Sequence, residues 1–525
     1  MVTETFTLIP GIGCNVGDRI ECGGHFGTIK YIGPVDGHHG IWLGVDWDEQ
    51  ERGKHNGTIN GKHYFDTRYS TSGSFLRKEK VKSGRCLIEA IKARYGFKES
   101  ETTAKKNREE MMKFQQQINA PFLEFVGFEK VANKQREFRF LEVVNVRLEN
   151  INSAGSPYEL GQLFPNIREI DLSKNLLSSW NEIFTICSQF KRLYWLNVSE
   201  NILELPENLE KYTFPNISIL VCGYMNLTWQ DINKLSKIFP NVEELRVPFN
   251  NISDLSTPSD HNFIKLKYLD LEGNDIKLWS EIEKLSVIKE LDHLTIENIG
   301  LNEICFKENS IPINEFKNLR NLNISHNTIV EWRSIAELNK LEKLEHLRFT
   351  KNPILESENF ATREQIIIAK IKNLKSLSGR IILEEERRGA EYDYVKKYAL
   401  IWLKLQTTEE KETFVLEHNR FLELIGKYGL PDESELVIQP NIINSSLINL
   451  NISYNGQIIT KKLPPSILIQ KIVMMVQKLF KLQDRPILTY VSGSKSHIRI
   501  DLIDDMKELG YYSIQEGDMI IVNMA

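Results

Sequence analysis

Between residues 140 and 378, apolar positions recur in one frame, Leu-x-x-Leu-x-Leu-x-x-Asn, with Ile, Val or Phe standing for Leu. Ile167, Ile170, Leu172 and Asn175 fill it, as do Leu193, Leu196, Val198 and Asn201. Val242, Leu245, Val247 and Asn250 follow, then Leu266, Leu269, Leu271 and Asn274. Leu319, Leu322, Ile324 and Asn327, and Leu344, Leu347, Phe349 and Asn352, complete the full copies. Three weaker copies end at Ile151, Met225 and Ile299, where an apolar residue replaces Asn. Successive end positions lie 24, 26, 24, 25, 24, 25, 28 and 25 residues apart. Each copy predicts one short strand with inward Leu side chains and an Asn whose amide bonds backbone in the turn. One copy alone cannot bury its apolar face, so the copies must stack into a solenoid. Phe164, Phe214, Phe239 and Phe316 open four copies and are expected to fill the side of the core away from the strands.

This is the pattern of leucine-rich repeats, over residues 140–378. Ile371 to Leu377, followed by Glu384-Glu-Glu-Arg-Arg388, resembles the cap found after such repeats, with residues 379–440 read as cap and helical linker. The flanking parts have other periods. Residues 1–82 are rich in glycine, with short strand-like runs at Gly27–Ile32, Ile41–Val45, His63–Phe65 and Ser74–Leu76. Short strands between Gly-rich turns predict a small β-barrel. Residues 83–139 are read as a connector, its charged stretch Lys98 to Lys113 helical or mobile. In residues 441–525, Leu447–Tyr454 alternates, Asn455-Gly456 signals a type I′ hairpin, and Gln457–Leu463 returns. Ile469, Ile472, Val473, Val476, Leu479 and Phe480 then mark a helix, and strands are expected at Ile487–Val491, Ile498–Asp501 and Met519–Val522. A hairpin, a helix and further strands make a β-grasp, the ubiquitin-like fold. The fold class expected is multidomain α+β: barrel, repeat solenoid and β-grasp.

Charge and composition narrow the functions. Among 525 residues, 66 Lys and Arg stand against 71 Asp and Glu, a net charge of −5, so no global basic field holds nucleic acid. No apolar run is long enough to span a membrane, and the first residues show no basic-then-apolar secretory leader. Sequons such as Asn197, Asn216, Asn251 and Asn323 are therefore not expected to be glycosylated. Six scattered cysteines form no CxxC pair, which fits a reducing cytoplasm better than a disulfide or zinc framework. No Walker loop, HExxH or GxSxG is present. His38-His39 reads as a solvated turn, and Asp46, Asp48, Glu49 and Glu51 as a solvated loop rather than a divalent-metal site. The expectation is a binding protein, neither an enzyme nor a cofactor carrier.

The most informative local motif is Gly53-Lys-His-Asn-Gly57, set between Gly40-Ile-Trp-Leu-Gly-Val45 and Tyr64-Phe65, with Ser74-Phe-Leu-Arg77 beyond. These residues resemble the CAP-Gly family across residues 10–82. That resemblance implies a groove that grips an acidic C-terminus ending Glu-Glu-Tyr or Glu-Glu-Phe. Lys54 would offer a point charge to carboxylates, and backbone N–H groups near Gly57 would hold the terminal carboxylate. Trp42 and Phe75 would wall the terminal ring, and Arg77 would be a second cation. His55-Asn56 stand where the family has Asn-Asp, and Gly37 stands where many members place an aromatic. Trp47 and Tyr64 are read as barrel core.

The order of the three parts, Trp47 in Gly-Val-Asp-Trp-Asp, and Gly53-Lys-His all resemble the tubulin-folding cofactor E family. The resemblance implies α-tubulin and other tubulin-folding cofactors as partners, assembly or dissociation of the αβ-tubulin heterodimer as the role, and a cytoplasmic, cytoskeleton-associated location. An alternative is an adaptor that links an acidic-tailed client to proteasome or ubiquitin-ligase machinery through the ubiquitin-like domain. On the strand face of the repeats, Trp195, Ile219, Val221 and Tyr268 fall at outward positions, apolar where solvent is expected, and mark a partner surface.

Overall fold

The computed structural model describes residues 13–96, 138–259, 262–306, 315–405, 407–431, 447–491, 499–512, 514 and 517–524. The chain divides into two compact units, residues 1–430 and 431–525. The first unit opens with β1 (Arg19–Cys22), β2 (His25–Val35) and β3 (His38–Trp47), then two-residue strands β4 (Thr58–Ile59) and β5 (Lys62–His63), then β6 (Gly73–Leu76). β1, β2, β3 and β6 form an antiparallel sheet in that order. Ile20, Ile29, Leu43, Val45 and Trp47 fill its core, so Trp47 is a core residue as expected. At the end of β3, Asp46 and Asp48 depart from the solvated-loop expectation, whereas Glu49 and Glu51 are exposed as expected. Asp46 is fully buried and accepts from Arg68 Nε at 3.0 Å and Ser72 Oγ at 2.6 Å. Asp48 lies between Arg19, at 2.5 Å, and Arg68, at 2.8 Å, which together hold its carboxyl below the usual range against the opposing effect of burial. Two arginines distant in sequence turn that loop into an ion-pair network.

The expected connector is also corrected. Lys82 pairs back onto Glu21 through both backbone hydrogen bonds and an ion pair at 2.7 Å. Two residues later the chain joins the repeats. β7 (Arg85–Cys86) pairs in parallel with β9 (Ile151–Ser153), and Arg85 and Arg94 both grip Glu149. Helix α1 (Leu87–Tyr95) buries Leu87, Ile88, Ala90 and Ile91 in the same core as the repeats. Gly84 must be glycine here: its φ is +82°, and a Cβ would lie 2.6 Å from the Asn150 carbonyl. Residues 84–96 thus belong to the end of the repeat domain. Tyr95 accepts from the Asn145 N–H at 2.8 Å, and Phe138 packs on Phe164. Both flanks of residues 97–137 therefore sit on the repeat domain. The charged stretch Lys98 to Lys113 lies outside the described residues.

The repeats form a ladder. After β8 (Val143–Asn145) come β10 (Glu169–Asp171), β11 (Trp195–Asn197), β12 (Ile219–Val221), β13 (Glu244–Arg246) and β14 (Tyr268–Asp270). β15 (His293–Thr295), β16 (Asn321–Asn323), β17 (His346–Arg348) and β18 (Ser376–Leu377) continue it, and β19 (Arg380–Ile381) closes it. The eleven-stranded sheet follows chain order, all parallel except the last pair. In each triplet from β10 to β17 the central residue points into the core, as Leu196, Leu220 and Leu245 do, and its two neighbours point out. Each frame Asn is buried and ties two coils together. Asn250 Oδ1 accepts from Met225 N and Leu227 N, and its Nδ2 donates to Cys222 O, Val247 O and Pro248 O. The apolar substitutes Ile151, Met225 and Ile299 each donate their N–H to the Asn of the next coil. Phe164, Phe214, Phe239 and Phe316 are buried on the far side, with Phe214 and Phe239 stacked at 5.8 Å.

Helices gather at the end of the ladder: α2 (Phe360–Lys370) between β17 and β18, then α3 (Glu384–Lys404), α4 (Thr408–Glu417) and α5 (Phe421–Tyr428) after β19. They share a core of Ile366, Tyr394, Val395, Phe414, Phe421 and Leu424. Buried Glu391 is held by Arg420 at 2.9 Å, Lys427 at 2.7 Å and the Tyr428 hydroxyl at 2.8 Å. Lys370 donates to the Glu417 carbonyl, and burial lowers its ammonium to about 8. The Tyr394 hydroxyl and His418 Nδ1 share a hydrogen bond at 2.6 Å; burial, and beside it the Lys370 charge, push His418 down to about 3. The folded imidazole therefore stays neutral over a range in which the unfolded one, with its ordinary pKa of 6.5, takes a proton. Stability contributed by neutral His418 is present above pH 6.5 and is lost as the pH falls towards 3. We expect His418→Gln, whose amide can still pair with Tyr394 in either sense, to flatten the fall of unfolding free energy below pH 6.5. The slope removed is at most about 1.4 kcal/mol per pH unit. Melting curves from pH 7 to 5 check this, and parallel profiles for wild type and variant contradict it.

The second unit contains β20 (Ile448–Tyr454), β21 (Gln457–Leu463), helix α6 (Ile469–Phe480), β22 (Pro486–Val491), β23 (Arg499–Asp501) and β24 (Met519–Met524). The sheet order β21-β20-β24-β22-β23, with β20 parallel to β24, is that of a β-grasp. Asn455 and Gly456 both have positive φ, as a type I′ turn requires. Ile469, Ile472, Val473 and Val476 of α6 pack on Leu450, Ile452, Leu488 and Ile520. The end of the 379–440 segment read as cap and helical linker lies outside the described residues beyond Pro431, as does Ile498.

Candidate functional site

Strand register gathers the barrel's candidate residues. Tyr31 is opposite Gly44, Gly33 opposite Trp42, and Gly44 opposite Phe75. Because side chains alternate between faces, Tyr31, Trp42, Phe75 and Arg77 share one face, opposite the Leu43 and Val45 core. Two glycines floor it. A Cβ on Gly33 would run into the Tyr31 hydroxyl, and one on Gly44 would lie 2.5 Å from Phe65 and 2.8 Å from Tyr31. The loop after β3 adds a second layer of rings. Phe75 meets Tyr64 and Phe65 edge to face at 5.4 Å, Tyr31 at 6.0 Å and His55 at 5.5 Å. Tyr64 is half-buried in this cluster rather than in the barrel core, and its hydroxyl accepts from the Asp36 N–H at 3.0 Å.

The Gly53–Gly57 loop is pinned to β6. Lys54 N donates to Gly73 O at 2.8 Å and Gly73 N to His55 O at 2.7 Å. Any Cβ on Gly57, whose φ is +87°, would run into the Phe65 carbonyl. This pinning leaves Lys54 exposed, with no ion pair among the described residues. Asn56 is also exposed, its Oδ1 accepting from Thr58 N at 3.2 Å. Two roles implied by the resemblance change. The Gly57 N–H donates to His55 Nδ1 at 3.0 Å, so it is spent within the loop, and burial lowers the His55 pKa and keeps that ring nitrogen an acceptor. Arg77 stacks over Trp42 at 3.7 Å and donates to Ile41 O at 3.0 Å and to His39 O. It braces Trp42, while its charge remains beside the ring. Tyr31 and Phe65 were not singled out from sequence. The signal available was glycine within two neighbouring strands, Gly33 in β2 and Gly44 in β3, which marks a close approach of another group.

On the ladder, register sets Trp195, Ile219 and Glu244 side by side in one outward row, and Asn197, Val221 and Arg246 in the other. Trp195, Ile219 and Val221 are thus contiguous and half-buried. Tyr268 lies one strand beyond Glu244, with the Arg246 guanidinium 5.5 Å above its ring. From Tyr268 to Arg348 the same face is concave and polar, a hollow of about 480 Å³ lined by residues such as Asp270, Glu272, His293, Glu297 and His346. Burial raises the Asp270 carboxyl pKa, and burial with the neighbouring Asp270 and Glu297 charges raises that of Glu272. The strand face therefore changes from apolar to acidic along the ladder. Among the described residues no cluster of His, Cys, Asp and Glu is arranged to hold a metal ion, and no helix is long and apolar enough to cross a membrane.

Residues 16–81 match the family model of the CAP-Gly domain. Over 527 residues the chain is 36% identical to tubulin-specific chaperone E of Danio rerio, covering 97% of this chain and 98% of that protein. It is 34% identical over 523 residues to tubulin-specific chaperone E of Homo sapiens, covering 97% and 98%. A solved structure, the C-terminal ubiquitin-like domain of mouse tubulin-specific chaperone E, is similar at 29% identity over 16% of this chain and 90% of that one, with a TM-score of 0.15.

Proposed function

The chain belongs to the tubulin-specific chaperone E family, and on that premise we propose that it is a tubulin-folding cofactor with two contacts on α-tubulin. The CAP-Gly groove takes the acidic C-terminal tail, and the strand face of the ladder, read as a leucine-rich-repeat solenoid, takes the folded body. With partner cofactors in the cytoplasm the protein assembles or dismantles the αβ-tubulin heterodimer, acting by binding rather than by catalysis. The observation that carries the reading is the glycine-floored aromatic face of Tyr31, Trp42 and Phe75 beside exposed Lys54. Such a face suits a terminal aromatic ring, and an ammonium with no ion pair among the described residues suits the carboxylates preceding it.

The experiment is a titration of the full chain with peptides ending Glu-Glu-Tyr and Glu-Glu. The Tyr-ended peptide should bind more tightly, and more weakly as salt rises. A charge-assisted contact is worth roughly 1.5–3 kcal/mol, so Lys54→Ala should weaken binding about ten- to a hundredfold. Equal affinity for the two peptides would sink the groove assignment.

A further inference from the structure

In every coil the residue before the ladder Asn position has left-handed backbone; Lys174, Glu200, Asn298, His326 and Lys351 show it, with φ from +51° to +59°. Bulky aromatic residues suit that conformation least. Yet two successive coils place Tyr224 and Phe249 there, at φ +55° and +53°. Their rings stack at 4.6 Å and 9°. The next coil has Gly273, where any Cβ would run into the Phe249 ring, so glycine is what lets that ring lie over the neighbouring coil. Tyr224 remains 55% exposed. The stacking gain and the left-handed cost are of similar size, so stability alone gives no reason to keep an aromatic shelf at the surface.

The charges around the shelf are uneven. On one side Glu200 is neutralised by Arg147 at 2.5 Å and Lys174 at 3.6 Å. On the other, Phe249 N donates to the Glu272 carbonyl at 2.8 Å, which fixes Glu272 beside the shelf. The Glu272 carboxylate has no ion pair among the described residues, and Glu297 has only His326, at 3.6 Å. Burial, with the Glu272 and Glu200 charges, raises the Tyr224 hydroxyl pKa, consistent with a negative local field.

We propose that the Tyr224–Phe249 shelf, with Glu272 at its side, receives a cationic side chain, an arginine or lysine on the folded body of the client protein. The ring faces supply cation–π attraction and Glu272 the counter-charge. The assignment rests on the reading of the ladder as the client-binding face and adds a specific anchor to it.

The test measures binding of purified tubulin heterodimer to the full chain. Tyr224→Asn with Phe249→Asn removes the shelf, and Asn is at home in left-handed backbone. The melting temperature should hold while affinity falls about tenfold, the scale of a desolvated cation–π contact. Glu272→Gln, which leaves the stack intact, should weaken binding several-fold and reduce its salt dependence. Should the double variant melt lower, Glu272→Gln decides the matter. Unchanged affinity in both variants overturns the shelf while leaving the wider reading in place. Loss of binding in the double variant with no effect of Glu272→Gln or salt overturns the cationic occupant. Failure of the wild-type chain to bind tubulin overturns both.

Discussion

Asn250→Ala is expected to lower the unfolding free energy of the ladder by about 3–5 kcal/mol, the largest single-residue effect considered. Its amide accepts from Met225 N and Leu227 N and donates to the carbonyls of Cys222, Val247 and Pro248, all at 2.8–3.2 Å. Alanine leaves Met225 N, Leu227 N and Cys222 O buried without this partner, while Val247 O keeps Asn274 Nδ2 and Pro248 O keeps Tyr224 N; each group left unpaired costs roughly 1–3 kcal/mol, less where the coil relaxes. The same change at exposed Asn302, which is not in left-handed backbone and makes no side-chain hydrogen bond among the described residues, should shift stability by less than about 0.5 kcal/mol. Denaturant melts of the two variants check the comparison; equal, small shifts would show that the asparagine ladder is not what joins the coils.

The second large effect concerns where the barrel ends and the ladder begins. Deleting residues 1–82 should leave the ladder folded, because β7 and α1 still cover its first coil. Extending the deletion to residue 96 removes Leu87, Ile88 and Ile91, each at most 4% exposed within the ladder core. At about 1.5–3 kcal/mol per buried apolar side chain, the longer deletion should cost on the order of 5 kcal/mol or more. It also severs the Arg85 and Arg94 contacts to Glu149. Thermal melts of the two truncated chains decide it. Indistinguishable melting temperatures would restore the picture of a free connector from residue 83.

That junction shows where sequence reading stops. The ladder was legible because its determinant is one-dimensional: Leu and Asn at fixed spacing dictate inward strands and inter-coil amide bonds wherever the coils stack. The β-grasp was legible for a similar reason, since Asn455-Gly456 and the spacing from Ile469 to Val476 each name one local geometry. Residues 84–96 carry no comparable pattern. What α1 covers is set by Val144 and Ile151, some sixty residues later, and a nine-residue helix reads alike whether it is docked or free.

The groove divides along the same line. Trp42, Lys54, Phe75 and the Gly53–Gly57 loop were singled out from their residue types and order. Tyr31 and Phe65 were missed because they enter through cross-strand register and a loop return. The altered roles of Gly57 and Arg77 depend on which acceptor lies nearest, the His55 ring or the His39 and Ile41 carbonyls, and no spacing in the chain encodes that. The docked junction has a functional consequence. The groove is joined to the ladder through two residues rather than a long tether, so the two contacts proposed for one client would be pre-organised rather than loosely linked.

A double-mutant cycle on tubulin with and without its tails separates the groove contact from the ladder contact. Wild-type chain and Lys54→Ala are each titrated with tubulin heterodimer carrying its acidic C-terminal tails and with heterodimer from which the tails have been removed. Removing the tail should weaken wild-type binding about ten- to a hundredfold without abolishing it, because the ladder still holds the body. Lys54→Ala should lose a similar amount on intact tubulin and little on tail-less tubulin, so the two losses are not additive. Equal affinity of the wild-type chain for both forms of tubulin would contradict the account, since the groove would then take no part in holding the tail.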